Sequence, residues 1–175
     1  GSLGIALVKK FSYEKFELYL NSRTSSPILN KLQNKNIIEI IKGDLTKENT
    51  IKSIAKKIKN RKISILINNA GVYLNKEFGK LKNKEIKEIF NINFFTNIFL
   101  FRELLRLKVK KLTIININSI AGKQGSANES IYAASKHAMT GFYESIEKEE
   151  KLNKYNFINL YPGAFKSKIT LKRSD

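Results

Sequence analysis

Residues 63–71 read ISILINNAG. Ile63, Ile65, Leu66 and Ile67 crowd into five positions, so the run does not alternate between apolar and polar. A short continuous apolar run fits a strand covered on both faces, as in a parallel sheet. The Asn-Asn-Ala-Gly that follows carries no apolar period and ends in glycine, so the strand stops and a loop begins. Four further segments share the first half of this pattern: FELYLN at 16–21, IIEIIK at 37–42, LTIININS at 112–119 and NFINLY at 156–161.

Helical patterns lie between these strands. Thr46 stands where a helix cap belongs, before Ile51, Ile54, Ala55 and Ile58 at i, i+3, i+4, i+7 spacing. A second helix presents Ile86, Ile89 and Phe90, then continues or restarts through Phe94, Ile98 and Phe101. A third runs from about Ile131 to about Lys151. Strand-then-helix order, repeated, predicts a doubly wound α/β fold. With two prolines, no low-complexity linker and no repeat, residues 1–175 read as a single domain.

In such sheets ligands bind at the carboxyl ends of the strands. That rule selects Asn21–Thr24, Gly43–Leu45, Asn68–Gly71, Asn118–Gly122 and Pro162–Ser167. The helix after the fourth cluster opens with YAASK at 132–136. Residues four apart on a helix share a face, about 6 Å apart along the axis. A cation one turn from a phenol favours the phenolate, so Tyr132 and Lys136 form a candidate proton donor and acceptor. Those five residues alone better describe a surface tyrosine on a lysine-rich helix, and the rest of the chain has to shift that balance.

Composition narrows the classes. The chain is 42% apolar and has no cysteine, which excludes a disulfide framework and a thiolate metal site. No apolar run reaches the 18 or so residues that span a bilayer. Residues 92–101, INFFTNIFLF, are interrupted by Asn93 and Asn97. The formal net charge of +18 invites a polyanion, yet the lysines are spread along the chain beside many Ile and Asn, residues that share A/T-rich codons. Only five of the 33 cations are arginine, which argues against specific nucleic-acid recognition. The single histidine, His137, has no second histidine to join it around a metal, and no metal site is expected.

With these segments in place, the chain resembles the short-chain dehydrogenase/reductase family over essentially its whole length. NNAG at 68–71 follows the central strand, as in that family. NSIAG at 118–122 is similar to its serine turn, and Ser119 stands 13 residues before Tyr132, the family's common spacing. YAASK matches Y-x-x-x-K, Ile92-Asn93 resembles its asparagine segment, and YPGAFKS at 161–167 resembles its P-G-x-x-x-T segment. The resemblance implies a Rossmann-like parallel sheet and a cytoplasmic NAD(P)-dependent oxidoreductase acting on a carbonyl or secondary alcohol. It also implies no membrane partner and a homo-oligomer when the chain is complete. It assigns Tyr132 the proton transfer, Ser119 the hydrogen bond to the substrate oxygen, and Lys136 the lowering of the Tyr132 pKa and a hold on the nicotinamide ribose. Asn93 keeps a water in a relay to Lys136. The cofactor falls to Gly4, Ile5, Ser22, Arg23, Thr24, Asp44, Leu45, Asn69, Ala70, Gly71, Tyr132, Lys136, Pro162, Gly163, Phe165 and Ser167.

The two ends depart from the family pattern. Gly4-Ile5-Ala6 matches the last three positions of its T-G-x-x-x-G-I-G turn, with Ala6 for the final glycine. The strand and the T-G expected ahead of it are absent, as is a last strand after KSKITLKRSD. Loss of a central strand is expected to leave two neighbouring edges unpaired and to promote self-association. A dehydrogenase-like binding or scaffold module without turnover is the alternative these ends favour. No Asp or Glu lies between Leu18 and Pro27, where a carboxylate selects NAD, and Arg23 stands there with the hydroxyls of Ser22 and Thr24. NADP(H) is therefore the expected preference.

Overall fold

The computed structural model describes residues 1–24, 29 and 36–163; Phe165 and Ser167 lie outside them. Helix α1 (Ser2–Tyr13) comes first, followed by β1 (Leu18–Ser22), β2 (Ile37–Lys42), α2 (Glu48–Ile58) and β3 (Ile65–Asn68). Then come α3 (Asn83–Phe90), a π turn (Asn91–Phe95), α4 (Thr96–Arg106), β4 (Leu112–Ile117), α5 (Ser130–Ile146) and β5 (Tyr155–Leu160). All strand pairs are parallel. β1 pairs with β2, and β3, β4 and β5 form a second ladder in that order. Among the described residues no ladder joins β1 to β3, so each keeps one edge without a strand partner, as the sequence predicts.

No residue of β4 is exposed on either side. Helices therefore cover both faces, which is why the strands read as apolar runs. The core takes Ile41 from β2, Ile51, Ile54 and Ile58 from α2, Leu100, Phe101 and Leu104 from α4, Leu112 and Ile114 from β4, Met139 and Tyr143 from α5, and Tyr155 from β5. Each such aliphatic side chain contributes roughly 1.5–3 kcal/mol on burial. Although the ladders do not pair, this cluster packs against both.

Two local expectations are corrected. Thr46 does not cap α2. Lys47 occupies that position, and the Thr46 hydroxyl donates instead to Asp44 Oδ1 at 2.8 Å. The bond to the carboxylate draws the Thr46 side chain back toward Asp44 and away from the helix start. Helix α5 stops at Ile146 and not near Lys151, because the charged stretch after it offers no inward apolar residue until Leu152, which a separate 3₁₀ turn carries.

The second helix continues through Asn93 by widening. Over Asn91–Phe95 the backbone forms a π turn, and side chains take up the carbonyls this loosens. Thr96 Oγ1 donates to the Ile92 carbonyl at 2.8 Å and Asn97 Nδ2 to the Asn93 carbonyl at 2.9 Å. Such turns recur at functional sites.

Candidate active site

The ends of β3, β4 and β5 are tied together by asparagines. Asn68, Asn116 and Asn159 are in register across the ladder. Asn68 Nδ2 donates to Asn116 Oδ1 at 2.8 Å and to the Tyr143 hydroxyl at 3.3 Å, and Asn116 Nδ2 donates to Asn159 Oδ1 at 3.1 Å. Burial pushes the Tyr143 phenol up, so it stays neutral and anchors α5 under the strand ends. A fixed α5 fixes what its first turns present.

Those turns present Tyr132 and Lys136. Their one-turn spacing places Lys136 Nζ 5.8 Å from the centroid of the half-buried Tyr132 ring. Lys136 is itself buried, and its ammonium donates to the carbonyl of Ile117, the last residue of β4, at 3.2 Å. Desolvation pulls its pKa from 10.5 down to about 8. The NNAG loop passes in front: a Cβ at Gly71 would lie 3.4 Å from Asn93 Oδ1 and 3.9 Å from Lys136 Nζ. Asn93 is 1% exposed and fully engaged as a bracket. Its Oδ1 accepts from the Val72 N–H at 2.8 Å, and its Nδ2 donates to the Val72 carbonyl at 3.0 Å and to Ser135 Oγ at 3.1 Å. Gly71, Asn93, Tyr132 and Lys136 are thus brought together.

Ser119 follows β4 in extended conformation and caps a short 3₁₀ turn, its Oγ accepting from the Ala121 N–H at 3.2 Å. The turn packs on α5. Asn118 Nδ2 donates to the Lys136 carbonyl at 3.2 Å and to Thr140 Oγ1 at 3.0 Å, and the Ile120 N–H donates to the Pro162 carbonyl at 3.1 Å. The serine turn is therefore fixed to α5 on one side and to the loop after β5 on the other. His137 is exposed, with Nδ1 3.0 Å from the Ala133 carbonyl, and among the described residues no cluster of potential ligands could hold a metal.

The other predicted cofactor contacts sit at the same ends of the strands. Gly4 and Ile5 lie in the first turn of α1, where a Cβ on Gly4 would meet Asn69 Nδ2 at 3.0 Å. Ser22 Oγ donates to the Thr24 carbonyl at 2.7 Å beyond β1, and Arg23 is exposed beside it. Asp44, after β2, accepts from the backbone and the hydroxyl of Thr46; these bonds and then the charge of Arg23 hold its carboxyl below the usual range. Leu45 packs against the core; Ala70 and Gly163 are exposed. A nicotinamide dinucleotide fits this donor set. Gly4 and Gly71 leave room where side chains would intrude, and one Lys136 donor on Ile117 leaves others for ligand hydroxyls.

Four contributors carried little signal in the sequence. Tyr73 donates its hydroxyl to Glu129 Oε1 at 2.6 Å and meets the Tyr132 ring edge-on at 5.0 Å. Ser135 accepts from Asn93 at a position that reads as a spacer, and Asn118 donates to the Lys136 carbonyl. Only the polar cluster at strand ends flagged Asn118; nothing flagged Tyr73, Glu129 or Ser135.

The model of the short chain dehydrogenase family matches residues 1–175. Carbonyl reductase family member 4 of Xenopus tropicalis is 30% identical over 132 residues, which are 73% of this chain and 56% of the relative. The chain thus spans little more than half of that relative's length. Among solved structures, a mutant of 4-hydroxyisoleucine dehydrogenase complexed with NADH and succinate superposes with a TM-score of 0.86 at 23% identity, over 97% of this chain and 72% of that one. A variant of ElxO with NADPH bound superposes with a TM-score of 0.82 at 25% identity, over 97% and 71%.

Proposed function

The chain belongs to the short-chain dehydrogenase family, and from that premise we propose that the protein interconverts a carbonyl and a secondary alcohol, using NADP(H) in preference to NAD(H). The observation that carries the proposal is the Lys136 ammonium 5.8 Å from the Tyr132 ring, beside Gly71 of the NNAG loop and on the helix to which Asn118 ties the serine turn. When bound, the nicotinamide supplies or accepts the hydride. Ser119 Oγ holds the substrate oxygen, and the Tyr132 hydroxyl gives that oxygen a proton in the reductive direction. Lys136 stabilises the resulting phenolate and offers its free donors to the ribose. Asn93 has its side chain committed to Val72 and Ser135, so a relay water falls to its main-chain carbonyl, which Asn97 leaves with one lone pair.

Arg23 and the hydroxyls of Ser22 and Thr24 support the NADP(H) preference, since a guanidinium suits a phosphate. The exposed, stacked rings of Phe95 and Phe99 on the π turn and α4, 6.0 Å apart, support association of copies. The test is the full-length protein against Tyr132→Phe, with NADPH fluorescence for binding and a panel of ketones and aldehydes for turnover. The variant is expected to bind NADPH as before and to keep less than about a tenth of the activity, since a positioned acid/base contributes roughly 10²–10⁴-fold. Retained turnover overturns the acid/base assignment. NADPH binding without turnover in the wild type overturns the enzymatic reading in favour of a binding module.

A further inference from the structure

The loop after β3 is fastened to the start of α5 at two points. The Lys76 N–H donates to the Asn128 carbonyl at 2.7 Å, and the Tyr73 hydroxyl donates to Glu129 Oε1 at 2.6 Å. Asn128 turns the chain with φ 62°, a left-handed conformation that asparagine tolerates. It delivers Glu129 to the head of α5, where the Glu129 carbonyl accepts the Ala133 N–H at 2.7 Å. The Glu129 side chain is buried, with the residue 6% exposed. A carboxylate is not buried at a helix start without bonds that hold it there.

From its place on that carboxylate, the Tyr73 ring lies edge-to-face against Tyr132, with centroids 5.0 Å apart and planes at 80°. Lys136 Nζ lies 5.8 Å from the centroid of the same Tyr132 ring. We infer that Tyr73, held by Glu129, is a positioning residue that sets the ring of Tyr132 against the Lys136 ammonium. The inference rests on the acid/base role proposed for Tyr132. The Tyr73 ring supplies the surface that limits rotation of the Tyr132 ring, and Glu129 fixes the Tyr73 ring through its hydroxyl. The carboxylate serves as a hydrogen-bond acceptor, a task that an amide oxygen also performs.

The experiment labels tyrosine with ¹³C at Cζ in the full-length protein, with the Tyr132 resonance assigned by its loss in Tyr132→Phe, and follows its titration. Tyr73→Leu is expected to raise the Tyr132 midpoint by half a pH unit or more, as the ring drifts from the ammonium, with the urea midpoint close to wild type. Glu129→Gln is expected to leave the titration unchanged. An unmoved Tyr132 midpoint in a folded Tyr73→Leu overturns the inference. Should Tyr73→Leu fail to fold, Tyr73→Phe decides: it keeps the ring and removes the bond to Glu129, so a smaller upward shift is expected and none overturns the inference. Turnover of Tyr132→Phe judges the acid/base reading separately, because the titration needs no substrate.

Discussion

The ammonium of Lys136 donates to the main-chain carbonyl of Ile117 at 3.2 Å, joining the second turn of α5 to the end of β4. The bond holds the cation in place without neutralising it, so burial lowers its pKa from 10.5 to about 8. Between those two values the unfolded chain binds more protons than the folded one, and the stability contributed by this group rises with pH. Below about pH 8 both states hold the proton and the contribution is flat. Urea titrations of wild type and Lys136→Met across pH 7–10.5 are expected to show the wild type gaining on the variant from about pH 8 upward. A constant difference would mean the ammonium is not desolvated.

Two glycines of the site predict opposite outcomes. A Cβ at Gly122 would meet both side-chain polar atoms of Asn118 and the Lys136 carbonyl, all at 3.0 Å. One of these is helix backbone and does not yield, so Gly122→Ala is expected to destabilise by about 1–3 kcal/mol in denaturant unfolding.

A Cβ at Gly71 meets nothing closer than 3.4 Å. Gly71→Ala is expected to fold with near-normal stability and yet to lose at least about tenfold in turnover, since its methyl stands between Asn93 and Lys136. Turnover within a factor of two of wild type would show that this space is not used.

Cofactor choice is predicted to rest on Arg23. Affinities for NADPH and NADH, measured by fluorescence on the full-length protein, are expected to favour NADPH and to converge in Arg23→Ala. Equal affinities in the wild type, or an unchanged ratio in the variant, would refute the assignment.

The unpaired edges of β1 and β3 predict that the 175-residue chain alone self-associates. Sedimentation velocity over a tenfold concentration range is expected to show growing species; a single monomer boundary throughout would contradict it.

The strands were legible because burial on both faces leaves an unbroken apolar signature, and each of the five lies within two residues of its expected place. Their ends were less so. The strand expected from Phe16 begins at Leu18 because the Phe16 N–H closes the end of α1 on the Phe11 carbonyl. The amphipathic pattern of α2 was plain, but its start falls after Thr46, which bonds back to Asp44, a partner that helix periodicity does not weigh. In the site, Tyr132 and Lys136 announced themselves by spacing along one helix. Tyr73 and Glu129 meet across 56 positions of sequence, a distance over which no local pattern carries information.

The separation of the two ladders also bears on how the molecule opens. No main-chain hydrogen bond of the β1–β2 pair has a donor or acceptor in β3, β4 or β5 among the described residues. The smaller ladder can therefore part without breaking a bond of the larger, and its amide protons exchange with solvent through a sub-global excursion. β4, flanked by a strand on each side, surrenders its amides only when the three-stranded ladder itself comes apart. Protection is thus expected to differ between the two ladders, low at Leu18–Ser22 and high at Leu112–Ile117, with the Arg23 end of the candidate site on the more labile ladder and the Ser119 end on the more durable one.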